Sequence, residues 1–150
     1  MPPIPESEIA ALHHRATEAA HNSDSPYSRF RVGAAVLLHA DSRQPGAIVT
    51  GTNVENASYR LTSCAEQTAI AAAVTLYGPA IRIRAIAVVN LNSAACMPCG
   101  ACRQTILEFA GPDTAVFYPS ATGDRIATTL AALLPAAFHF APAPRSEGST

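Results

Sequence analysis

Apolar residues recur at helical spacing over Glu6–Ala20, where Ile9, Leu12, Ala16, Ala19 and Ala20 share one face. The pattern predicts an amphipathic helix, closed before Ser25-Pro26. Val32–Leu38 is then a continuous apolar run of strand length, and 47–53, with Ile48 and Val49, is a second. The turn-forming residues 41–46 between them read as a hairpin loop. From 64 to 76 the chain is alanine-rich, apolar almost all round and free of Pro and Gly, as in a buried helix that Gly78-Pro79 stops. Residues 84–90, with Ile86, Val88 and Val89, are apolar on both faces, like a covered central strand. A helix over 100–110 closes at Gly111-Pro112, strands follow over 115–118 and Arg125–Thr129, and a helical turn over 130–134. This order predicts an α/β layered domain around a mixed sheet. Residues 141–150, rich in Pro, Ser and Gly, read as a flexible tail.

Composition narrows the class. At 150 residues, 49% hydrophobic and 14% charged, the chain suits one domain over 1–150 with its core at about 6–140, and no repeat period interrupts it. The net charge is −1 and no Lys/Arg-rich run occurs, so a nucleic acid polymer is a poor partner. Arg82 and Arg84 read as an ordinary solvated face. The first ten residues lack the apolar stretch of a signal peptide, and the apolar segment 69–81 falls short of the ~20 residues a membrane helix needs. Four cysteines without a secretory context read as metal ligands or free thiols rather than disulfides. The expectation is a soluble, cytoplasmic protein with no membrane partner.

The chemistry concentrates in Cys64-Ala65-Glu66 and Pro98-Cys99-Gly100-Ala101-Cys102. Cys99 and Cys102 share one face of the first turn of a helix introduced by Pro98. Cys64 and Glu66 diverge inside a regular helix, so they converge on one ion only if Cys64 stands at the very start of its helix. Such a start suits a thiolate, because orphan N–H groups and the positive end of the helix dipole favour an anion. Three thiolates fit a tetrahedral zinc with one position open for water, whose pKa zinc brings toward neutrality; Glu66 would carry the proton.

Plainer readings stay open at this point. Glu66 alone could merely complement a helix dipole, and Cys99-x-x-Cys102 alone could be a redox pair or half of a structural site. Cys96 permits a closed four-cysteine site, although its place before Met97-Pro98 predicts that it faces elsewhere.

Together with the zinc motif, Tyr27-Ser-Arg-Phe30-Arg-Val-Gly-Ala-Ala35, Asn53-Val-Glu55-Asn-Ala-Ser-Tyr59 and Leu133-Leu-Pro-Ala-Ala-Phe138 resemble the small homotetrameric cytidine deaminases, in family order over about residues 6 to 138. The resemblance implies a three-layer α-β-α sandwich around a five-stranded mixed sheet. It implies one Zn2+ per subunit on Cys64, Cys99 and Cys102, with Glu66 as the catalytic proton shuttle. Asn53 and Glu55 would hold the ribose hydroxyls, the backbone at Cys64-Ala65 would recognise the base, and Phe30 would pack on the pyrimidine. Val54, Asn56, Ala57 and Ser58 lie in the same substrate segment, and Tyr59 and Phe138 match positions donated across a subunit interface. The implied reaction is hydrolysis of free cytidine and 2′-deoxycytidine to uridine and 2′-deoxyuridine plus ammonia, a pyrimidine salvage step. Rival readings are a deaminase of another aminonucleoside such as blasticidin S, a non-catalytic zinc-stabilised module, and a polynucleotide editor. One position departs from the family pattern: Gln67 stands where an arginine often bonds the zinc thiolates. Its side-chain NH2 is therefore expected to point at Cys64 or Cys99, as a support lying just outside the ligand set.

Overall fold

Five strands lie in the order β2-β1-β3-β4-β5 in the computed structural model, which describes residues 3–40, 42 and 44–141. The elements run α1 (Glu6–Ala20), β1 (Val32–Leu38), β2 (Ile48–Thr52), a 3-10 turn (Tyr59–Leu61), α2 (Ala65–Tyr77), β3 (Ile83–Asn90), α3 (Gly100–Phe109), β4 (Ala110–Pro119), β5 (Arg125–Thr129) and α4 (Leu130–Leu133). β1 is antiparallel to both β2 and β3, β3 and β4 are parallel, and β5 returns antiparallel, so the sheet is mixed as expected.

Each face of the sheet is covered by the stripe of residues that the periodicity marks. α1 buries Ile9, Leu12, Ala16 and Ala20 against Ala35, Leu37, Ala85, Ala87 and Phe117 on one face. On the other, α2, α3 and α4 bury Ala69, Ile70, Ala73, Ile106 and Leu130 against Val36, Ile86, Val88 and Val116. Each Leu, Ile, Val or Phe among them, withdrawn from water, contributes about 1.5–3 kcal/mol. β3 is buried along both faces, which is why its sequence does not alternate.

Two glycines set the layer spacing. A Cβ on Gly33 would lie 2.0 Å from the Ala16 carbonyl oxygen, and one on Gly51 would lie 2.2 Å from the Ala69 nitrogen, so α1 and α2 ride directly on the sheet backbone. Thr68 adds a bond from Oγ1 to the Thr52 carbonyl oxygen at 2.7 Å, fastening the first turns of α2 to the end of β2.

Two expectations need correction. β4 begins at Ala110, five residues ahead of the anticipated 115, because Ala110 pairs with Ile83 before the register shifts to Ala85 opposite Ala115. Thr114, fully buried, accepts from the Gly111 N–H at 3.1 Å and donates to the Ile83 carbonyl oxygen at 3.0 Å, which holds the bulge in the ladder. Arg84 is not a free solvated cation: its Nη1 pairs with Glu8 Oε2 of α1 at 2.9 Å. Of the tail expected over 141–150, residues 142–150 lie outside the described residues, as do positions 41 and 43 of the hairpin loop.

Candidate metal centre and substrate cleft

Cys64 and Cys99 each occupy the N-cap of a helix, Cys64 on α2 and Cys99 on α3. Both have extended backbone there, so each chain turns its sulfur back over its own first turn. The Cys102 N–H donates to Cys99 Sγ at 3.4 Å, and the Gln67 N–H donates to Cys64 Sγ in a reciprocal capping box. The two positive helix ends therefore meet around three sulfurs. Sγ of Cys64, Cys99 and Cys102 lie within 4.8 Å of one another. Tetrahedral zinc with sulfur at about 2.3 Å spaces such ligands about 3.8 Å apart, so the donor set and its spacing fit one zinc ion.

Electrostatics agree with a cation-ready cluster. The Cys102 thiol bonds to Cys64, and that bond chiefly brings the Cys64 thiol down to about 7. Cys102 is itself pushed up, first by the same bond, then by burial and the Glu66 charge. A divalent cation would take these crowded sulfurs together as thiolates. Glu66, one turn-position inside α2, is only 5% exposed, and burial pushes its carboxyl above the usual range. A carboxyl raised in this way can hold a proton that an exposed glutamate would have lost.

A cleft of about 410 Å³ opens over this cluster. It gathers most of the residues singled out in the sequence: Phe30, Asn53, Glu55, Tyr59, Cys64, Ala65, Glu66, Cys99 and Cys102. Asn53 is 8% exposed and its amide is heavily engaged. Oδ1 accepts from the Val32 N–H at 3.0 Å and from the Ser23 hydroxyl, while Nδ2 donates to the Phe30 carbonyl oxygen at 2.7 Å. Glu55 accepts from the Tyr27 N–H at 2.9 Å, the Ser28 N–H at 3.2 Å and the Ser28 hydroxyl, and these bonds, the hydroxyl's foremost, hold its carboxyl below the usual range. The strand-end pair is therefore built into the cleft wall while still facing its interior.

Other expected residues fall outside the cleft lining. Val54 pairs through its backbone with Ser63 on one side and Asp24 on the other. Asn56 Oδ1 accepts from the Ser58 N–H at 2.8 Å, a local turn that leaves Ala57 and Ser58 exposed. Phe138 is 70% exposed beside α3, where its carbonyl oxygen accepts from Gln104 Nε2 at 2.9 Å. Tyr59, by contrast, does line the cleft, at its rim, and is 84% exposed.

Gln67 is used differently from the expectation. Its Oε1 accepts from the Cys64 N–H at 3.4 Å, and the donor to the Cys64 sulfur is its backbone N–H rather than its NH2. Cys96 also corrects the expectation that it faces elsewhere, since it lines the cleft. Its N–H donates to the Pro119 carbonyl oxygen at 3.1 Å, which fixes it at the C-terminal end of β4. Burial, aided by the Glu66, Cys64 and Cys99 charges, pushes its thiol up to about 12, and its sulfur is not part of the three-sulfur cluster.

Three further contributors escaped the sequence reading. Ser28 and Met97 line the cleft, and Arg103 braces its approach: Nε donates to the Pro98 carbonyl oxygen at 2.8 Å and Nη1 to the Leu133 carbonyl oxygen at 2.9 Å. The cation directly after Cys102 was the available signal for Arg103. Among the described residues no helix is long and apolar enough to cross a membrane.

Comparison with known proteins places this geometry. The profile of the cytidine and deoxycytidylate deaminase zinc-binding region matches residues 6–118. A cytidine deaminase of Halalkalibacterium halodurans is 44% identical over 124 residues, covering 82% of this chain and 88% of the relative. One from Mycobacterium tuberculosis is 41% identical over 116 residues, covering 77% and 82%. The crystal structure of cytidine deaminase from Burkholderia pseudomallei superposes with a TM-score of 0.75 at 41% identity, covering 86% of this chain and 98% of that one. The chain therefore belongs to the cytidine deaminase family of zinc-dependent hydrolases.

Proposed function

We propose that the protein hydrolyses free cytidine and 2′-deoxycytidine to uridine and 2′-deoxyuridine plus ammonia. The observation that carries this reading is the meeting of three thiols and one buried carboxyl, Glu66, on the wall of a cleft of nucleoside size whose other residues include Phe30, Asn53 and Glu55. Cys64, Cys99 and Cys102 would hold one zinc ion, which when bound acidifies a water molecule. Glu66 takes the proton of the water that adds at C4, passes it to N3, and then carries a second proton to the departing ammonia. Burial of Glu66 beside the sulfurs suits this traffic, because it strengthens the hold of the carboxyl on a proton in transit. Phe30 presents an apolar face to the base, and Asn53 and Glu55 orient the sugar; both supply positioning rather than chemistry.

The same reading takes the chain as one deaminase domain, working in the cytoplasm in pyrimidine salvage. All four cysteines remain free thiols, which suits a reducing compartment. It assembles as a homotetramer with shared sites. Support comes from Phe138 and Tyr59, large aromatic rings left 70% and 84% exposed, with Phe138 away from its own cleft. Glu66→Gln tests the core of the proposal. Turnover of cytidine should fall by about 10²–10⁴-fold or more while one zinc per chain is retained. Loss of zinc along with activity would make Glu66 a ligand and overturn the assignment.

A further inference from the structure

Asn92, in the loop after β3, reaches the cleft through the backbone of another segment. Its Nδ2 donates to the Arg29 carbonyl oxygen at 2.9 Å, and its Oδ1 accepts from the Arg31 N–H at 2.9 Å. One amide thus satisfies a carbonyl and an N–H on either side of Phe30, as a neighbouring strand would. Phe30 is held at its own backbone as well: its N–H donates to Ser28 Oγ at 3.0 Å and its carbonyl oxygen accepts from Asn53 Nδ2 at 2.7 Å. Arg29 has φ +58°, the left-handed region that disfavours a residue with a Cβ. Something must maintain that conformation: Asn92 holds the peptide group that follows Arg29, and on the other side the Arg29 N–H donates to the Ser25 carbonyl oxygen at 2.9 Å.

Asn92 is itself fixed. Asn90 Oδ1 accepts from the Asn92 N–H at 2.9 Å and the Ala94 N–H at 3.2 Å, and Asn90 Nδ2 donates to the Ala94 carbonyl oxygen at 2.6 Å. The Leu91 N–H adds a bond to the Arg31 carbonyl oxygen at 3.0 Å. The loop that carries these asparagines continues directly into Cys96 and Cys99, so the segment bearing Phe30 and the start of α3 share one brace.

We infer that Asn92 is a positioning residue for the nucleoside base: its two-point hold keeps Arg29 left-handed and so aims Phe30 into the cleft. This deepens the proposed function and rests on it for the identity of the ligand. The hold needs a donor and an acceptor together. Aspartate would keep the acceptor for Arg31 but set a carboxylate against the Arg29 carbonyl oxygen, and alanine would remove both.

The test compares zinc-loaded wild type, Asn92→Ala, Asn92→Asp, Arg29→Gly and the double variant Asn92→Ala/Arg29→Gly. Cytidine kinetics, zinc per chain and trypsin cleavage after Arg31 are measured for each. Asn92→Ala and Asn92→Asp should raise KM about tenfold with kcat within about threefold and zinc unchanged. Cleavage after Arg31 should accelerate in both. Glycine adopts φ +58° without a Cβ penalty, so the double variant should recover most of the lost KM. A wild-type KM in both Asn92 variants, or no recovery in the double variant, would overturn the inference, as would loss of zinc accounting for the defect. If the wild-type protein leaves cytidine untouched, the nucleoside reading falls instead. Cleavage then still judges the hold: equal rates in wild type and Asn92→Ala would refute it.

Discussion

The Nδ2 of Asn53 donates to the carbonyl oxygen of Phe30 at 2.7 Å, so the residue proposed for the sugar also fixes the residue proposed for the base. Asn53 therefore has a second job that Glu55 does not share. Asn53→Ala would strand the Val32 N–H and the Phe30 carbonyl oxygen at a site only 8% exposed. Unpaired buried groups cost about 1–3 kcal/mol each, so with two of them this variant should lose about 2–6 kcal/mol of stability as well as nucleoside affinity. Glu55→Gln acts on a carboxylate held by the Tyr27 and Ser28 N–H groups nearer the surface, and should raise KM while leaving Tm almost unchanged. Thermal melts beside steady-state kinetics decide it; a wild-type Tm for Asn53→Ala would refute the double role.

The metal centre depends on a glycine that no chemical motif marks. A methyl group on Gly51 would sit 2.2 Å from the Ala69 nitrogen and 2.6 Å from the Ala65 carbonyl oxygen, both backbone atoms of α2. These cannot swing aside as a side chain would, so Gly51→Ala must lift the first turns of α2, and with them Cys64 and Glu66. The expected result is reduced zinc per chain and a loss of activity of about 10²-fold, because an ångström of misplacement is that costly. Gly111→Ala, whose added methyl meets nothing within 4 Å, should keep its zinc. Full zinc occupancy and wild-type activity in Gly51→Ala would show that α2 can shift without consequence for the site.

Much of the fold was legible because its cues are local. Glu6–Ala20, Val32–Leu38 and Arg125–Thr129 were placed at their observed bounds by apolar periodicity and punctuation alone. The start of β4 was not, since Gly111-Pro112-Asp113 carries no strand signal and is held by Thr114 bridging to Ile83 across the sheet. The convergence of Cys64, Cys99 and Cys102 was legible because only a helix-start position reconciles Cys64 with Glu66. The inward turn of Cys96 follows from its bond to Pro119, and the hold of Asn92 on Arg29 and Arg31 joins residues 61 or more apart. Neither leaves any trace in local spacing.

Cys96 separates a three-sulfur centre from a closed four-sulfur one. Its thiol lines the cleft but is pushed up to about 12, chiefly by burial, and so stays protonated near neutral pH. Cys96→Ser should retain one zinc per chain, whereas Cys64→Ser, Cys99→Ser or Cys102→Ser should lose zinc and turnover together. Gln67→Ala removes the acceptor that caps the Cys64 N–H and should weaken zinc retention by about tenfold, at the low end of losses for residues that support ligands. Metal analysis after dialysis against a chelator reads both effects, and a zinc-free Cys96→Ser protein would reinstate the four-cysteine site.

His13 gives the fold an acid-sensitive point remote from the metal. Its Nε2, on α1, is buried without a hydrogen-bond partner among the described residues. Burial, and then the Arg125 charge, hold its imidazole below the ordinary value of 6.5, with Glu6 opposing only in part. The unfolded chain therefore binds this proton more readily than the folded one, and stability rises with pH wherever the two differ. The contribution is fully present above pH 6.5 and is lost as pH falls through that value toward the lower folded pKa. Glu6, paired with Arg125 at 2.7 and 3.0 Å, is held below 4.5, so its own loss begins only in more acid solution. Tm should thus fall between pH 7 and pH 5, and His13→Leu should flatten that part of the curve. Acid release of zinc lowers Tm in both proteins alike, so the difference between the two curves isolates His13. Curves that run parallel from pH 7 to pH 5 would show that the imidazole finds a partner when protonated and would refute the prediction.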